Sequence, residues 1–397
     1  MKTILLLDNS IVGHKYAFAK LFCKYLLRLN YKVILVLPEK TEQIKEELTE
    51  SEPEIIEHLF PINLSVNQIS KIRIHKKIDP AFNAFLLWLA TKRLVKAVEK
   101  KSKQQVDVVF FCWLDNYVTN YLPYILVDLV FPYQWAGLYF HPWYLFNTNY
   151  NNVSISSQDN VLRAKRCIGC GVHDETLRVK LKNRVRKPVL YFPEIADGSS
   201  PMKNFEVTEA LKEKANGKPI IGLIGLAKRK GVLHLLDVIG EDVDQQFFYF
   251  LAGKVPYEQY SLQEQERIKK IIVQQPDNVY YYPDYIPEGS AINSLISAFS
   301  IVYLVYNNFK SSSNFLTKAA IFKKLAVGIN SYWIGENIQK YDLGLTVKGE
   351  NPSETLQALR KISQKEISIH PKWDKFLGLN GEKYLYSTFR ELLDAVY

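Results

Sequence analysis

The sequence predicts an α/β protein built from two successive units, each a sheet of parallel strands covered by helices. Three observations carry that prediction. Short apolar runs alternate with amphipathic stretches at helical spacing, the runs are apolar throughout, and the alternation halts at a turn-rich stretch before it restarts. A strand that is apolar on both faces is buried on both faces, which is the condition of a parallel sheet between helical layers. The length of 397 residues suits two domains of roughly 100 to 200 residues each.

The first unit opens with a strand at 3–7 that ends in Asp8-Asn9-Ser10, followed by a Gly13-His14 turn. Phe18, Leu21, Phe22, Tyr25, Leu26 and Leu29 then recur at helical spacing, with Lys20, Lys24 and Arg28 on the opposite face. A second apolar run at 33–37 closes at Pro38, completing a strand, glycine turn, helix and strand, which is a βαβ unit. A helix at 82–98 and strands at 106–111, 135–141 and 188–192 extend the pattern, so 1–197 reads as one domain. Gly198-Ser199-Ser200-Pro201 and Asn216-Gly217-Lys218-Pro219 place turn chemistry at both ends of 198–218, which reads as a linker.

The second domain, 219–372, repeats the alternation. Strands are expected at 219–224, 247–252, 279–282, 301–306 and 325–329, and helices at 231–239, 260–274, 288–299 and 313–324. The closing segment 373–397 is helical and aromatic, and is expected to cross back to the first domain. Two Rossmann-like domains result. Ligands of such sheets bind beyond the carboxyl ends of the strands, so a cleft between the domains is the expected active site.

Lys and Arg number 51 against 41 Asp and Glu, a formal charge of +10 that favours anionic partners. Nucleotides, phosphorylated lipids, a membrane surface and nucleic acid share that property, but no RRM, KH or helix-turn-helix signature points to nucleic acid. Four cysteines, Cys23, Cys112, Cys167 and Cys170, are too few for a disulfide framework, and a reducing cytoplasm is the expected compartment. The N-terminal apolar run falls short of the roughly 7 to 15 residues of a signal-peptide core. The most apolar region, 121–146, is interrupted by Pro123, Asp128, Pro132, Gln134 and His141, so a soluble or peripherally bound protein is expected.

Residues 221–231, Ile-Gly-Leu-Ile-Gly225-Leu-Ala-Lys228-Arg229-Lys230-Gly231, are followed by Phe-Leu-Ala-Gly253 and then by Asn278-Val-Tyr-Tyr-Tyr-Pro-Asp284-Tyr285-Ile286-Pro287. This succession resembles the nucleotide-sugar-binding domain of GT-B glycosyltransferases, those of family 4 in particular. The order holds through Ser312-Ser313-Asn314, Lys318-Ala319-Ala320, the strand at 325–329 and Gly344. In the first half, Gly13-His14, His141-Pro142 and the exit segment 191–197 fit more loosely. The resemblance implies a GT-B fold and transfer, with retention, from a UDP- or GDP-linked sugar to a saccharide or lipid-linked saccharide, with no metal and no other cofactor. It assigns donor contacts to Gly13, Lys228, Arg229, Lys230, Tyr285, Ile286, Lys310, Ser312, Ser313, Asn314 and Lys318, and places His141 and His14 at the reacting centre.

A departing diphosphate gains negative charge, and a site without metal must aim cations and backbone amides at it. Lys228 to Lys230 precede one helix, and Ser311 to Asn314, with side chains suited to N-caps, precede another. Each group also has a purely structural reading: a solvated charge run, a helix cap and, for His141 beside Pro142, a strand-end histidine. Family 4 carries two glutamates eight positions apart at the second helix, and here they are Lys310 and Lys318, while the usual arginine ahead of the Lys-Gly pair is Leu226. A lysine cannot accept hydrogen bonds from sugar hydroxyls. The exchange therefore implies altered donor preference or a non-catalytic sugar- or partner-binding relative, unless Lys318 is a polar-face residue behind the apolar Phe315, Leu316, Ala319 and Phe322.

Cys167, Cys170 and His173 have metal-like spacing but no second ligand pair, so no metal is expected. Basic clusters at 71–77, 92–103 and 163–187, with the aromatic runs 131–135 and 143–146, suggest contact with anionic lipid; a solvated basic face over an aromatic core is the alternative.

Overall fold

The structure, a computed structural model, describes residues 1–10, 15–64, 79–147, 153–349 and 351–394. The Gly13-His14 turn and the basic cluster at 71–77 lie outside the described residues. The chain forms two compact units, Met1–Phe192 with the chain from Lys383 onward, and Pro193–Glu382.

In the first unit the described elements are β1 (Thr3–Leu7), α1 (Lys15–Arg28), β2 (Lys32–Leu37), α2 (Thr41–Ser51), β3 (Leu59–Asn63), α3 (Pro80–Ser102), β4 (Val108–Phe111), α4 (Tyr124–Val130), β5 (Gln134–Leu138), β6 (Cys167–Val172), α5 (Glu175–Val185) and β7 (Val189–Tyr191). The strands pair in parallel in the order β3-β2-β1-β4-β5-β6-β7. Strand order therefore reverses between β1 and β4. The runs apolar on both faces, β1 and β4 above all, are buried along their whole length, as helical cover on each side requires. Helix α3 starts where Asp79 accepts the amide hydrogens of Ala81 and Phe82 and Pro80 occupies a first-turn position without an amide to satisfy.

The second unit contains α6 (Glu206–Ala215), β8 (Ile220–Ile224), α7 (Val232–Glu241), β9 (Phe248–Ala252), α8 (Leu262–Gln274), β10 (Val279–Tyr282), α9 (Ser290–Ala298), β11 (Ile301–Leu304), α10 (Asn314–Ile321), β12 (Leu325–Ile329), α11 (Tyr332–Tyr341), β13 (Gly344–Val347), α12 (Pro352–Ser363) and α13 (Trp373–Leu379). Its parallel sheet has the order β10-β9-β8-β11-β12-β13, reversing between β8 and β11. The final helix, α14 (Glu382–Asp394), packs in the first unit: the Phe389 ring lies 5.2 Å from Phe22 and 5.3 Å from Phe110, and Lys2 donates to the Leu393 carbonyl at 2.9 Å. Helix α13 instead sets Phe376 against Tyr341, 5.4 Å between ring centres, in the second unit. The stretch 198–218 holds α6 and belongs to the second unit, where Ser294 on α9 donates to the Met202 carbonyl at 2.9 Å.

The aromatic run at 131–135 is core rather than a lipid-facing surface: Phe131 and Trp135 are fully buried, both rings about Trp88 at 5.0 and 4.9 Å. Cys167 and Cys170 stand on β6, where a β-bulge opposite Trp135 and Ala136 inserts one extra residue and so turns both side chains to the core face that Trp135 occupies. Both are buried thiols, and no group of three or more potential ligands that could hold a metal occurs among the described residues.

Candidate functional site

In an open parallel sheet, the place where strand order reverses leaves a crevice at the carboxyl ends of two neighbouring strands whose connections diverge. In the second unit that place is the end of β8 and of β11. Beyond β8 the backbone turns at Gly225, φ +83°, then makes a single 3-10 turn over Lys228–Lys230 and a left-handed step at Gly231, φ +72°. A Cβ at Gly231 would lie 2.0 Å from the Val305 carbonyl oxygen, so this reversal admits glycine only.

The turn sends three adjacent basic side chains to three different places. Lys228 pairs with Glu264 of α8 at 2.6 Å and stays partly in solvent. Arg229 is exposed, its guanidinium 5.1 Å from the Phe309 ring centre. Lys230 turns inward: its ammonium donates to the Ile224 carbonyl at 2.8 Å, at the very end of β8, and lies 4.6 Å from the ring centre of Phe315 in the first turn of α10. Burial, and secondarily the neighbouring Arg229, pull its pKa down to about 8. A Cβ on residue 225 would come within 2.8 Å of that ammonium, so Gly225 leaves room for it beside the end of β8.

Helix α10 presents its N-terminus to the same place. Its N-cap residue Ser313 makes no side-chain capping bond, and the first turn contains no acid, so the leading amides have no local side-chain acceptor from the cap. Capping, one reading of these serines, is thus not their role. The Ser312 hydroxyl donates instead to Glu194, and the Thr317 hydroxyl donates to the Glu194 carbonyl at 2.8 Å. Glu194 is buried, and burial pushes its carboxyl up to about 7, partly countered by Ser312. Nothing in the sequence marks Glu194 beyond its place in the exit segment, because Ser312 and Thr317 lie more than a hundred residues away.

Lys310 is half-buried, 5.6 Å from the ring centre of Tyr332. Lys318 is buried at 1% exposure; its ammonium donates to Asn293 Oδ1 at 2.7 Å and to the Asp197 carbonyl at 3.0 Å. Tyr285 is largely exposed and Ile286 buried. Of the predicted donor group, then, Lys230 and the Ser312–Asn314 segment converge on one strand-end crevice, whereas Lys228 and Lys318 are held by Glu264 and Asn293.

The corresponding reversal in the first unit lies beyond β1 and β4. His141 follows β5, and its ring Nδ1 is 2.8 Å from Asp115, which also accepts the amide hydrogens of Phe140 and His141 at 2.9 and 2.8 Å. An imidazole held through Nδ1 by a carboxylate leaves Nε2 to accept a hydrogen bond, for instance from a hydroxyl group. Asp115 follows β4, and the pairing of β4 with β5 brings it to His141. Beside it, Trp113 stacks on Phe140 with ring centres 3.8 Å apart, and the Lys15 ammonium lies 4.5 Å from the Trp113 ring centre. His14 and Gly13, the other predicted residues here, lie outside the described residues.

Asp8, directly after β1, is buried; one carboxylate oxygen meets Lys15 at 3.4 Å and the other has no hydrogen-bond partner. Burial pushes its pKa from 3.8 to about 6, with Lys15 opposing the shift. The folded state thus holds this proton more tightly than the unfolded chain, so the stability contribution of Asp8 falls as pH rises from about 4 through 6. Asp8→Asn is expected to be more stable than the parent at pH 8 by about 1 to 3 kcal/mol, with the gap closing towards pH 5. Urea melts at the two pH values measure this; an equal gap at both would show that Asp8 ionises without cost.

No protein-family model matches the chain, and no curated protein is similar to it in sequence. Solved structures are similar over its whole length. A glycosyltransferase from Rickettsia africae superposes with a TM-score of 0.66 at 14% identity, covering 100% of this chain and 98% of that one. Anabaena Alr3699/HepE in complex with UDP gives 0.65 at 10% identity, and sucrose-phosphate synthase from Thermosynechococcus elongatus 0.63 at 13%, each covering 100% of both chains. With the two parallel sheets of reversing strand order, this likeness establishes a GT-B fold.

Proposed function

We propose that the protein is a glycosyltransferase that takes a sugar from a UDP- or GDP-linked donor held by the second unit. The observation that carries the reading is the Lys230 ammonium, which stands between the carboxyl end of β8 and the first turn of α10 at the reversal of strand order. A cation, an uncapped helix N-terminus and the Gly225 turn are the groups a diphosphate needs within one crevice. HepE, of the same fold, has UDP and UDP-glucose complexes, which supports a nucleotide sugar as ligand.

In the proposed reaction the bond between the anomeric carbon and the phosphate oxygen breaks, and the diphosphate leaves with the electron pair. The acceptor hydroxyl oxygen bonds to the anomeric carbon on the same face, and its proton passes to the departing phosphate, giving retention. Lys230 and the α10 amides offset the developing charge, without a resident metal. The acceptor, a saccharide or lipid-linked saccharide, is assigned to the first unit, where the Asp115-oriented His141 positions its hydroxyl, and an anionic membrane surface on the cytoplasmic side is the proposed place of work.

A second reading, a non-catalytic relative that binds a sugar or a partner protein, is favoured by one observation: Lys318, in place of an acid of the family, is held by Asn293 and Asp197. Incubation with a panel of UDP- and GDP-sugars separates the two. The transferase is expected to hydrolyse one donor slowly and to melt higher with UDP or GDP. No hydrolysis and no thermal shift at millimolar nucleotide would leave the non-catalytic reading.

A further inference from the structure

In the first unit, exposed apolar side chains gather on α4 and the adjoining start of α3. On α4, a helix of only seven residues, Val127 and Val130 are buried while Ile125 and Leu129 are 61% and 76% exposed, with Leu126 beside them and Tyr121 just before the helix at 68%. Helix α3 packs against α4, with Trp88 against Phe131 at the end of α4, and it leaves Phe82 exposed in its first turn. Single exposed apolar residues are ordinary on a protein surface, but a helix face made of them is not.

Positive charge borders this face on two sides. Arg163 places its guanidinium 5.5 Å from the Tyr124 ring centre, on α4 itself. Lys165 and Arg166, both exposed, are fixed beside the helix because Asp128 on α4 accepts their backbone amide hydrogens at 2.8 and 3.2 Å. Asp128 is the one acid on α4. Along α3 the exposed residues change from Phe82 and Leu86 near the start to Arg93, Lys96 and Lys100 towards the end. The only acid at the α3 start, Asp79, caps the helix.

We infer that the exposed face of α4, with the start of α3, is a membrane-docking surface that inserts its apolar side chains among the headgroups of an anionic bilayer. Short helices with an apolar outer face and flanking basic residues lie in the interfacial plane, where apolar burial and attraction to acidic lipid act together. A protein partner is less well matched, because same-sign charge on two sides of flexible aliphatic side chains suits a fluid anionic surface. The aromatic run that the sequence offered for this role is core; the surface arises from residues whose exposure only packing reveals. The inference rests on the proposed transferase solely for what the docked protein serves, a lipid-linked acceptor.

Co-sedimentation of the whole chain with phosphatidylcholine vesicles, with and without about one third phosphatidylglycerol, tests it. Binding is expected to the anionic vesicles, at least about tenfold weaker to the neutral ones, and reduced by salt. Ile125→Ser with Leu129→Ser is expected to weaken binding about tenfold, with an unchanged melting temperature because both side chains already face solvent. Failure of the parent to sediment with anionic vesicles, or equal binding by the double variant, would overturn the inference. So would a parent dimer that the double variant dissociates, which would make this face a contact between copies. A nucleotide-induced thermal shift recorded on the same samples reports on the donor site separately, so loss of one result leaves the other standing.

Discussion

Lys318→Glu, at one of the two positions where the sequence resemblance implies an acid, is expected to disrupt the second unit. The side chain is buried, and its ammonium faces only acceptors: Asn293 Oδ1, the Asp197 carbonyl and, at 3.9 Å, Glu288. Asn293 in turn donates to the Asp197 and Ser199 carbonyls at 3.2 and 2.8 Å, so the lysine and the asparagine together fasten the first stretch of the second unit to α9 and α10. A carboxylate there would be buried without a donor and beside another carboxylate. Breaking a buried charged network in this way costs about 3 to 5 kcal/mol, or a fall of roughly 10 °C or more in melting temperature for a unit of this size. Lys310→Glu, at the other exchanged position, is expected to cost under about 1 kcal/mol, because that side chain is half-buried beside the Tyr332 ring. Thermal melts of the two variants, read with far-ultraviolet circular dichroism, make the comparison. A Lys318→Glu protein with the melting temperature of the parent would show that the lysine is not a strut.

The contrast between these two lysines marks what the sequence could and could not disclose. Strands at 3–7 and 325–329 coincide with the structure because a strand covered on both faces must be apolar along its length, and that is a local property; the edge strand at 279–282 is legible instead from its β-favouring Val-Tyr-Tyr-Tyr run. β6 is hard to read because two glycines interrupt Cys-Ile-Gly-Cys-Gly-Val, and these have a distant cause: a Cβ at Gly171 would lie 2.1 Å from the Phe192 ring. β3 was obscured by Pro61, tolerated because β3 is an edge strand. The same division holds at the site. That a cation belongs after β8 was legible from the Lys-Arg-Lys-Gly run. Which of the three enters the crevice was not, since that is fixed by the Gly231 reversal and by Phe315 on a helix eighty residues on. Glu194 and Asp115 are defined wholly by such distant partners, Ser312 and His141.

Lys230→Met is expected to weaken nucleotide binding by about 10- to 100-fold while leaving the fold intact. One charge-assisted hydrogen bond to a phosphate is worth about 1.5 to 3 kcal/mol, which converts to that range in Kd. Methionine keeps an apolar stem against Phe315 and removes the ammonium. The protonation of Lys230 gives the test a second reading. Its pKa is drawn down to about 8 by burial, from an ordinary 10.5, so the folded state disfavours the charged form. Between about 8 and 10.5 the unfolded chain binds more protons, and stability from this group rises with pH there; at pH 7 the charge is held against the preference of the fold. The variant should therefore melt no lower than the parent at pH 7, as expected of a residue kept for binding rather than for stability. Nucleotide affinity of the parent should decline as pH passes 8 and the ammonium is lost, and that decline should be absent in Lys230→Met. Calorimetric titration with UDP and GDP from pH 6.5 to 9 measures both effects. Equal affinities for parent and variant at pH 7 would place the phosphates away from β8 and α10, and with them the donor site.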